Sequence, residues 1–336
     1  MKQRRKRYLT LAIKTLVSLA LIAWLLNAVE WAQVAALLVK ADLHWIGVAF
    51  FLVIVSVLVS AFKWQFICAA AGLKLPFKVL WNSYWAGLFF NNFMPSSIGG
   101  DALRIYWTGK HSSDMPGAAA SVIVERILAT MGLSLLGIVA AILTRTEIPY
   151  LMLFFAGMML ISIFLLALIL FPALLALLQR IFVSVPKAGG FLTGLQEHGA
   201  RLRQHKKLLI KSLIWSVVFQ FCVVLVNFSI LQAFQVNQVS LPEACLVIPA
   251  TSVAAMLPIG INGYGTREGA YITLFAYLGV AGSAAMTVSV VFALTVSLAS
   301  LWGGLVWLRA GQRPGGEDAA ETSNHGESGQ LLCRGL

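Results

Sequence analysis

The sequence predicts an all-α polytopic membrane protein with about six full transmembrane helices and two re-entrant helical hairpins, arranged as an inverted repeat. First, 59% of the 336 residues are hydrophobic and 11% are charged, with a mean hydropathy of +0.84, whereas soluble domains carry about 25% charged residues. Second, several apolar stretches are long enough to cross a bilayer. Third, two further apolar stretches are interrupted near their centres by proline and glycine.

Six uninterrupted apolar segments predict the full spans, because a helix needs about 20 residues to cross roughly 30 Å of hydrocarbon. A basic segment, residues 1–7, precedes the first span, and no signal-peptide cleavage site follows it. We therefore expect the first span to remain part of the membrane domain. The predicted spans are 8–28, 45–71, 117–143, 150–178, 208–234 and 283–309.

The two interrupted stretches, 80–107 and 242–278, predict hairpins rather than spans. Each contains two apolar halves of about 15 residues or fewer, which are too short to cross the hydrocarbon. Irregular backbone at membrane depth is tolerated only where it is buried in protein or lines an aqueous cavity. We therefore predict that both stretches re-enter the membrane and return to their own side. The interrupting residues are Pro95, Gly99 and Gly100 in the first stretch and Pro258, Gly263 and Gly265 in the second.

The positions of the basic residues predict the orientation of the chain. With six spans and two returning hairpins, the cytoplasmic side receives all but six of the 25 Lys and Arg residues, in agreement with the positive-inside rule. Both termini are then cytoplasmic, as expected for a multi-pass protein of a bacterial inner membrane. The net charge of +12 reflects this topology, and no nucleic-acid recognition motif accompanies it. The six exceptions are Lys40 and Arg145 outside, and Lys63, Arg104, Arg126 and Arg267 within the membrane.

An inverted repeat follows from this topology and from a shared motif. Both hairpins contain Pro-x4-Gly-x3-Arg, and the second half enters the membrane from the opposite side. Inverted repeats in transporters place interrupted segments against each other at the midplane. The predicted membrane domain is 8–310, with halves of about 8–143 and 150–310. The motif residues are Pro95, Gly100 and Arg104 in the first copy and Pro258, Gly263 and Arg267 in the second.

Two polar segments lie outside the predicted spans. Residues 311–336 are rich in Gly, Ser and Glu, and this composition predicts a disordered cytoplasmic tail. Residues 191–211 are basic, and they fit either an amphipathic helix on the inner leaflet or a solvated loop equally well.

Ionisable residues cluster at the hairpins, although each costs about 2.5–3.5 kcal/mol to insert at the centre of a membrane. Helices that begin at the breaks point their positive ends into the membrane, which together with arginines favours an anion. We predict that three arginines bind a phosphate, that three acidic residues adjust the charge, and that two asparagines contact the ligand. These residues are Arg104, Arg126 and Arg267, then Asp101, Glu125 and Glu268, then Asn92 and Asn262.

A second interpretation of the charged cluster remains open at this stage. The same residues fit a structural network of ion pairs that holds the hairpins in place. These two asparagines, and Asn91 beside the first break, fit a ligand contact or a structural role, since Asn side chains satisfy free backbone groups at turns. The sequence predicts no cofactor, no metal set and no catalytic residue, because no nucleophile–base pair or metal-ligand spacing occurs in it.

Three motifs, "NNFMPSSIGGDALR", "ASVIVERILATMGL" and "LPIGINGYGTREGAY", resemble the transmembrane, flippase-like domain of bacterial lysylphosphatidylglycerol synthases. The resemblance covers residues 8–310. Bifunctional members of that family add an aminoacyl-transferase domain, whereas this sequence resembles a member that lacks it and is expected not to be an enzyme. The resemblance implies a lipid-handling domain, which in the best-understood members flips aminoacylated phosphatidylglycerol. Stand-alone members are associated with lipid, polyprenyl-linked glycoconjugate and hopanoid pathways.

The expected function is translocation or presentation of an anionic phospholipid or lipid-linked headgroup across the cytoplasmic membrane. Two alternatives use the same features. One is a secondary transporter of a small soluble anion, and the other is a non-transporting membrane partner of a lipid-modifying enzyme. The sequence leaves the headgroup, the energy source and a homo-oligomeric state open.

Overall fold

Ten helices and no strands form the described part of the chain in the computed structural model, which describes residues 39–93, 99–144, 149–171, 189–256, 263 and 265–311. The helices are α1 (Leu43–Ala70), α2 (Phe77–Phe93), α3 (Gly99–Ser112), α4 (Met115–Thr144), α5 (Pro149–Leu170), α6 (Gly189–Gln204), α7 (Lys206–Ala233), α8 (Leu241–Met256), α9 (Thr266–Ala276) and α10 (Gly282–Gly311).

Five of these helices are long and apolar enough to cross a membrane: α1, α4, α5, α7 and α10. They coincide with five of the six predicted spans, so the prediction of an all-α polytopic membrane protein is confirmed. Large apolar side chains on α5, such as Leu153 and Phe164, are exposed, as expected for a helix that faces lipid. The predicted span 8–28, segment 1–7 and residues 312–336 lie outside the described residues.

The two interrupted stretches form pairs of short antiparallel helices, as predicted. In the first pair, α2 and α3 touch so closely that a Cβ atom on Gly100 would collide with the carbonyl oxygen of Gly87. A Cβ atom on Gly87 would in turn collide with the side chain of Arg104, which lies one helical turn after Gly100 on α3. In the second pair, Gly263 lies against the backbone of Ala255. Glycine is therefore needed where the helices meet, because no other residue leaves room for the facing backbone.

The fold repeats from α1–α4 to α7–α10. The two halves are in the same register. Lys206, the first residue of α7, follows Leu43, the first residue of α1, by as many residues as Arg267 follows Arg104. The packing repeats as well, because α2 packs on α10 as α8 packs on α4, and α3 packs on α4 as α9 packs on α10. Corresponding helices in the two halves are therefore in corresponding surroundings.

The repeat is inverted, as shown by its central pair of helices. The α1–α7 contact is the most extensive in the structure. Near the beginning of α1, the Asp42 N–H donates to the carbonyl oxygen of Ala233 at the end of α7, at 3.0 Å. Towards the other end, the rings of Phe62 and Trp215 meet edge to face with centroids 5.1 Å apart. The two equivalent helices are therefore antiparallel, as an inverted repeat requires.

Residues 189–204 form helix α6, so the helical interpretation of this basic segment is confirmed over the solvated loop. The helix packs on α4, α5 and the end of α1. It is held there by His198, which is buried and contacts the carbonyl oxygen of Ala71 at 2.9 Å through Nδ1. Its Nε2 lies 3.0 Å from a carboxylate oxygen of Asp114. This helix thus ties together the ends of three membrane helices.

Candidate functional site

A cavity of about 420 Å³ lies where the two hairpins approach each other. The first hairpin and α4 contribute Asp101 and Arg126, and the second hairpin contributes Arg267. Its remaining wall contains polar and apolar residues, with apolar surface predominating: Asn91, Asn92, Thr251, Ser252, Ala255, Met256, Tyr271, Phe292, Ala293, Val296 and Ser297. Four residues that sequence reasoning selected, Asn92, Asp101, Arg126 and Arg267, therefore line one cavity.

Arg126 and Asp101 form a two-pronged ion pair in this wall. Nε of Arg126 donates to Oδ2 of Asp101 at 2.8 Å, and Nη2 donates to Oδ1 at 2.6 Å. The Arg126 side chain is 39% exposed and that of Asp101 is 21% exposed. Two parallel bonds fix the guanidinium plane, while its exposed part stays accessible from the cavity.

Arg104 lies behind this pair and does not line the cavity, although the sequence predicted a substrate contact. It is 2% exposed, and its guanidinium carbon lies over the ring of Trp64 at 4.1 Å and over the ring of Tyr84 at 4.3 Å. Its Nη1 donates at 3.3 Å both to Asp101 Oδ1 and to Glu125 Oε2. Two aromatic faces and two carboxylates hold this cation, which suits a structural role.

Glu125 is equally buried and joins Arg104 to a residue absent from the predicted site, Lys63. The Nζ atom of Lys63 lies 2.8 Å from Oε1 of Glu125, and both side chains are at most 1% exposed. Lys63 is carried by α1, which sequence reasoning did not connect with the hairpins. A usable signal was present, because Lys63 is one of four basic residues that the predicted topology places within the membrane.

Arg267 and Glu268 form a separate pair in the second hairpin. Nη2 of Arg267 donates to Oε1 of Glu268 at 2.6 Å, and Nε of Arg267 donates to Ser289 Oγ at 3.2 Å. The other oxygen of Glu268 accepts the N–H of Gly265 at 2.6 Å. Glu268 thus caps the first turn of α9 and orients its neighbour.

At the N-termini of α3 and α9, a backbone N–H donates to a side chain of the protein. At the start of α3, Oδ1 of Asn91 accepts the N–H of Gly100 at 2.9 Å. At the start of α9, the carboxylate of Glu268 accepts the N–H of Gly265. The sequence offered Asn91 either a ligand contact or a structural role, and its hydrogen bond fits the structural role. The guanidinium groups of Arg126 and Arg267 are therefore the cationic donors that border the cavity. Pro95, Pro258 and Asn262 lie outside the described residues.

Tyr271 is a further cavity residue that sequence reasoning missed. Its hydroxyl donates to Oδ1 of Asn227 at 2.6 Å, so the ring is anchored to α7. Across the described residues, no group of three or more His, Cys, Asp or Glu side chains is arranged to hold a metal ion. The wall therefore combines the guanidinium groups of Arg126 and Arg267 with an adjacent apolar surface.

Comparison with known proteins places the chain in a family. It matches the family described as the lysylphosphatidylglycerol synthase TM region over residues 11–304. It is 24% identical over 330 residues to the UPF0104 membrane protein PH1989 of Pyrococcus horikoshii, which covers 90% of this chain and 97% of that protein. It is also 34% identical over 128 residues to the UPF0104 membrane protein MJ1595 of Methanocaldococcus jannaschii, 37% of each chain. Because the family match extends over most of its length, the chain belongs to the family of the lysylphosphatidylglycerol synthase transmembrane region.

Proposed function

We propose that this protein translocates an anionic lipid between the leaflets of the membrane by holding its headgroup in the cavity between the hairpins. The observation that carries the proposal is the meeting of Arg126 from one half and Arg267 from the other in one cavity wall. Arginine recognises phosphate through a planar fork of donors. A cation from each half of an inverted repeat suits a ligand that is passed between them.

The mixed wall of the cavity favours a lipid over a small soluble anion. Beside the arginines stand apolar groups such as Met256 and Phe292, which offer nothing to a free inorganic ion but suit the glycerol end of a lipid. A volume of about 420 Å³ is in the usual range for a small ligand. The headgroup therefore enters while the acyl chains stay in the bilayer. Membership of a family named for lipid synthesis supports the same choice.

The residues take different parts in this proposal. Arg126 and Arg267 bind the phosphate, while Asp101 and Glu268 orient them and neutralise part of their charge. Arg104, Glu125 and Lys63 hold the first hairpin against α1 and α4. Movement of lipid rather than catalysis is the proposed activity, with the basic segments on the cytoplasmic side.

The test is lipid translocation by the purified protein in vesicles, with Arg126→Gln and Arg267→Gln beside the wild type. Fluorescent phospholipids are placed in one leaflet, and a membrane-impermeant quencher reports how fast they reach the other. We expect each variant to slow translocation at least tenfold, because each removes a charge-assisted contact worth about 1.5–3 kcal/mol. Arg309→Gln is the matched control, since Arg309 is exposed at the end of α10.

Three results would overturn the proposal. Unchanged translocation in both folded variants would leave the cavity without a transport role. Arginine-dependent uptake of phosphate into the vesicles, without lipid movement, would favour the soluble-anion transporter. Translocation that appears only when a lipid-modifying enzyme is added would favour the partner function.

A further inference from the structure

A second groove, separate from the cavity between the hairpins, lies at the end of α1. Its volume is about 360 Å³, and it shares no lining residue with that cavity. Because α1 is long and apolar enough to span the membrane, the groove lies where this span meets the membrane surface. The last turns of α1 and the chain that follows them form its wall: Gln65, Ala69, Gly72, Leu73, Lys74 and Leu75.

Two basic side chains stand at this groove. Lys74 lines it and is exposed. Arg201 of α6 lies across the turn that ends α1, since its Nη1 atom is 3.0 Å from the position that a Cβ atom on Gly72 would take. Glu197 lies one turn before Arg201, yet within the described part of the chain no carboxylate forms an ion pair with either cation. Both cations are therefore available to an anionic ligand.

Arg201 is not needed to cap α1, although a cation at the end of a helix often bonds its last carbonyl groups. Three backbone N–H groups after the helix already donate to those carbonyls at 2.9–3.1 Å: Ala71, Gly72 and Leu73. The carbonyl oxygen of Ala71 contacts His198, which lies one turn before Arg201 on α6. His198 thus holds α6 in place, so Arg201 is positioned at the groove before a ligand arrives, which lowers the cost of binding.

An exposed apolar surface continues from the groove towards the centre of the membrane. Leu58, Phe62 and Ala69 share one face of α1, because they follow one another at spacings of four and seven residues. All three are exposed. The ring of Phe62 meets Trp215 of α7 edge to face, with centroids 5.1 Å apart, so α7 borders this surface. Cations at the membrane surface thus stand above a strip of apolar side chains.

We propose that this groove binds a glycerophospholipid of the surrounding bilayer, with its phosphodiester at Lys74 and Arg201 and one acyl chain along Leu58 and Phe62. Arginine recognises phosphate through a planar fork of donors, and lysine binds it as a point charge. A small soluble anion leaves the apolar strip unused, whereas a phospholipid uses both parts. The bound lipid joins α1 to α6. This site goes beyond the proposed function, because it lies outside the cavity between the hairpins and does not depend on translocation.

The test measures binding of phosphatidylglycerol to the full chain in detergent by native mass spectrometry. Arg126→Gln/Arg267→Gln serves as the background, so that the cavity between the hairpins does not dominate the signal. Adding Lys74→Gln and Arg201→Gln to this background should weaken binding by about tenfold, because two charge-assisted contacts are lost. Unchanged binding in this folded variant would overturn the proposal.

Two further variants separate a specific site from general attraction to a basic surface. Lys110→Gln/Arg309→Gln removes the same charge at exposed positions elsewhere and should bind as the background does; an equal loss there would overturn the proposal. Ala69→Phe keeps both cations but fills the groove, and it should also weaken binding by about tenfold. Gly47→Phe is its control on the same helix, because nothing lies within 4 Å of its Cβ position. Unchanged binding in Ala69→Phe would overturn the groove as the site.

Two competitors identify which part of the lipid is recognised. Diacylglycerol has the acyl chains without the phosphate, and glycerophosphoglycerol has the phosphodiester without the chains. Each should compete at least about tenfold less well than phosphatidylglycerol, since each lacks one of the two contacts. Equal competition by glycerophosphoglycerol would support the phosphate contact and overturn the lipid as its source, and equal competition by diacylglycerol would overturn the phosphate contact. Neither result bears on translocation through Arg126 and Arg267, so the proposed function stands or falls separately.

Discussion

The two hairpins share a backbone plan and differ in chemistry. Both place an arginine four residues after the glycine at which the helices meet. Arg104 is buried against the faces of two aromatic rings and donates to two carboxylates, Asp101 on its own helix and Glu125 on α4. Arg267 reaches the neighbouring Glu268 and a serine, and it borders the cavity. Repetition of the fold therefore does not imply repetition of the surroundings: Arg104 is enclosed by protein groups, whereas Arg267 borders the cavity.

The largest expected effect comes from breaking the network behind the first hairpin. Glu125→Gln leaves Lys63 and Arg104 without their shared carboxylate, and loss of one partner from a buried pair costs about 3–5 kcal/mol. Glu268→Gln in the second hairpin should cost less, about 1.5–3 kcal/mol, since only one cation and one backbone N–H depend on it. Thermal unfolding in detergent measures both. Equal losses would contradict the difference between the hairpins, and exposed Glu197→Gln is the control.

An intermediate loss of stability is expected from alanine at Gly100 and Gly263, the glycines where the helices of each hairpin meet. Gly100→Ala and Gly263→Ala both push a Cβ atom into facing backbone, which costs about 1–3 kcal/mol. Gly263 has a φ of 73°, so alanine there bears a further penalty of about 1 kcal/mol. Gly269→Ala is the counterexample on α9, because nothing lies within 4 Å of its Cβ position. It should raise the unfolding temperature, and a drop there would contradict the close-approach argument.

The smallest expected effect on translocation comes from removing the hydrogen bond between Arg267 and Ser289. Ser289→Ala removes an acceptor of the Arg267 Nε–H and should cost about 0.5–1.5 kcal/mol of stability. Because Glu268 still holds the guanidinium group, translocation should fall only about threefold, in line with a loss of less than 1 kcal/mol. The quencher assay measures this rate. A loss as large as that of Arg267→Gln would mean that the serine itself touches the ligand.

The sequence predicted the helices well because their signals are local. Length and hydropathy located five spans to within a few residues, except where 150–178 extends beyond the described end of α5 at Leu170, and proline and glycine located the hairpins. The repeated spacing of Gly100 and Arg104 in the second half, combined with the predicted topology, predicted the inverted arrangement. Each of these signals lies within one segment of chain or in a comparison of two segments.

The partners of the charged groups were harder to predict. Which residue faces Glu125 depends on how α1 rotates about its axis, and α1 is apolar on all sides, so its pattern does not mark an inward face. Lys63 was therefore missed. Likewise, Arg104 and Arg267 look alike in sequence, and only the packing of Trp64 and Tyr84 separates their roles.

The antiparallel contact between α1 and α7 implies that the protein could be produced as two separate fragments. The most extensive contact among the described helices joins the two halves. We therefore expect the two halves to associate even when the chain is divided between Thr144 and Pro149. Two separately translated fragments, divided at that point and produced in the same cell, should find each other in the bilayer and reassemble. Each fragment could then be exchanged, labelled or silenced by itself, which a single polypeptide does not allow.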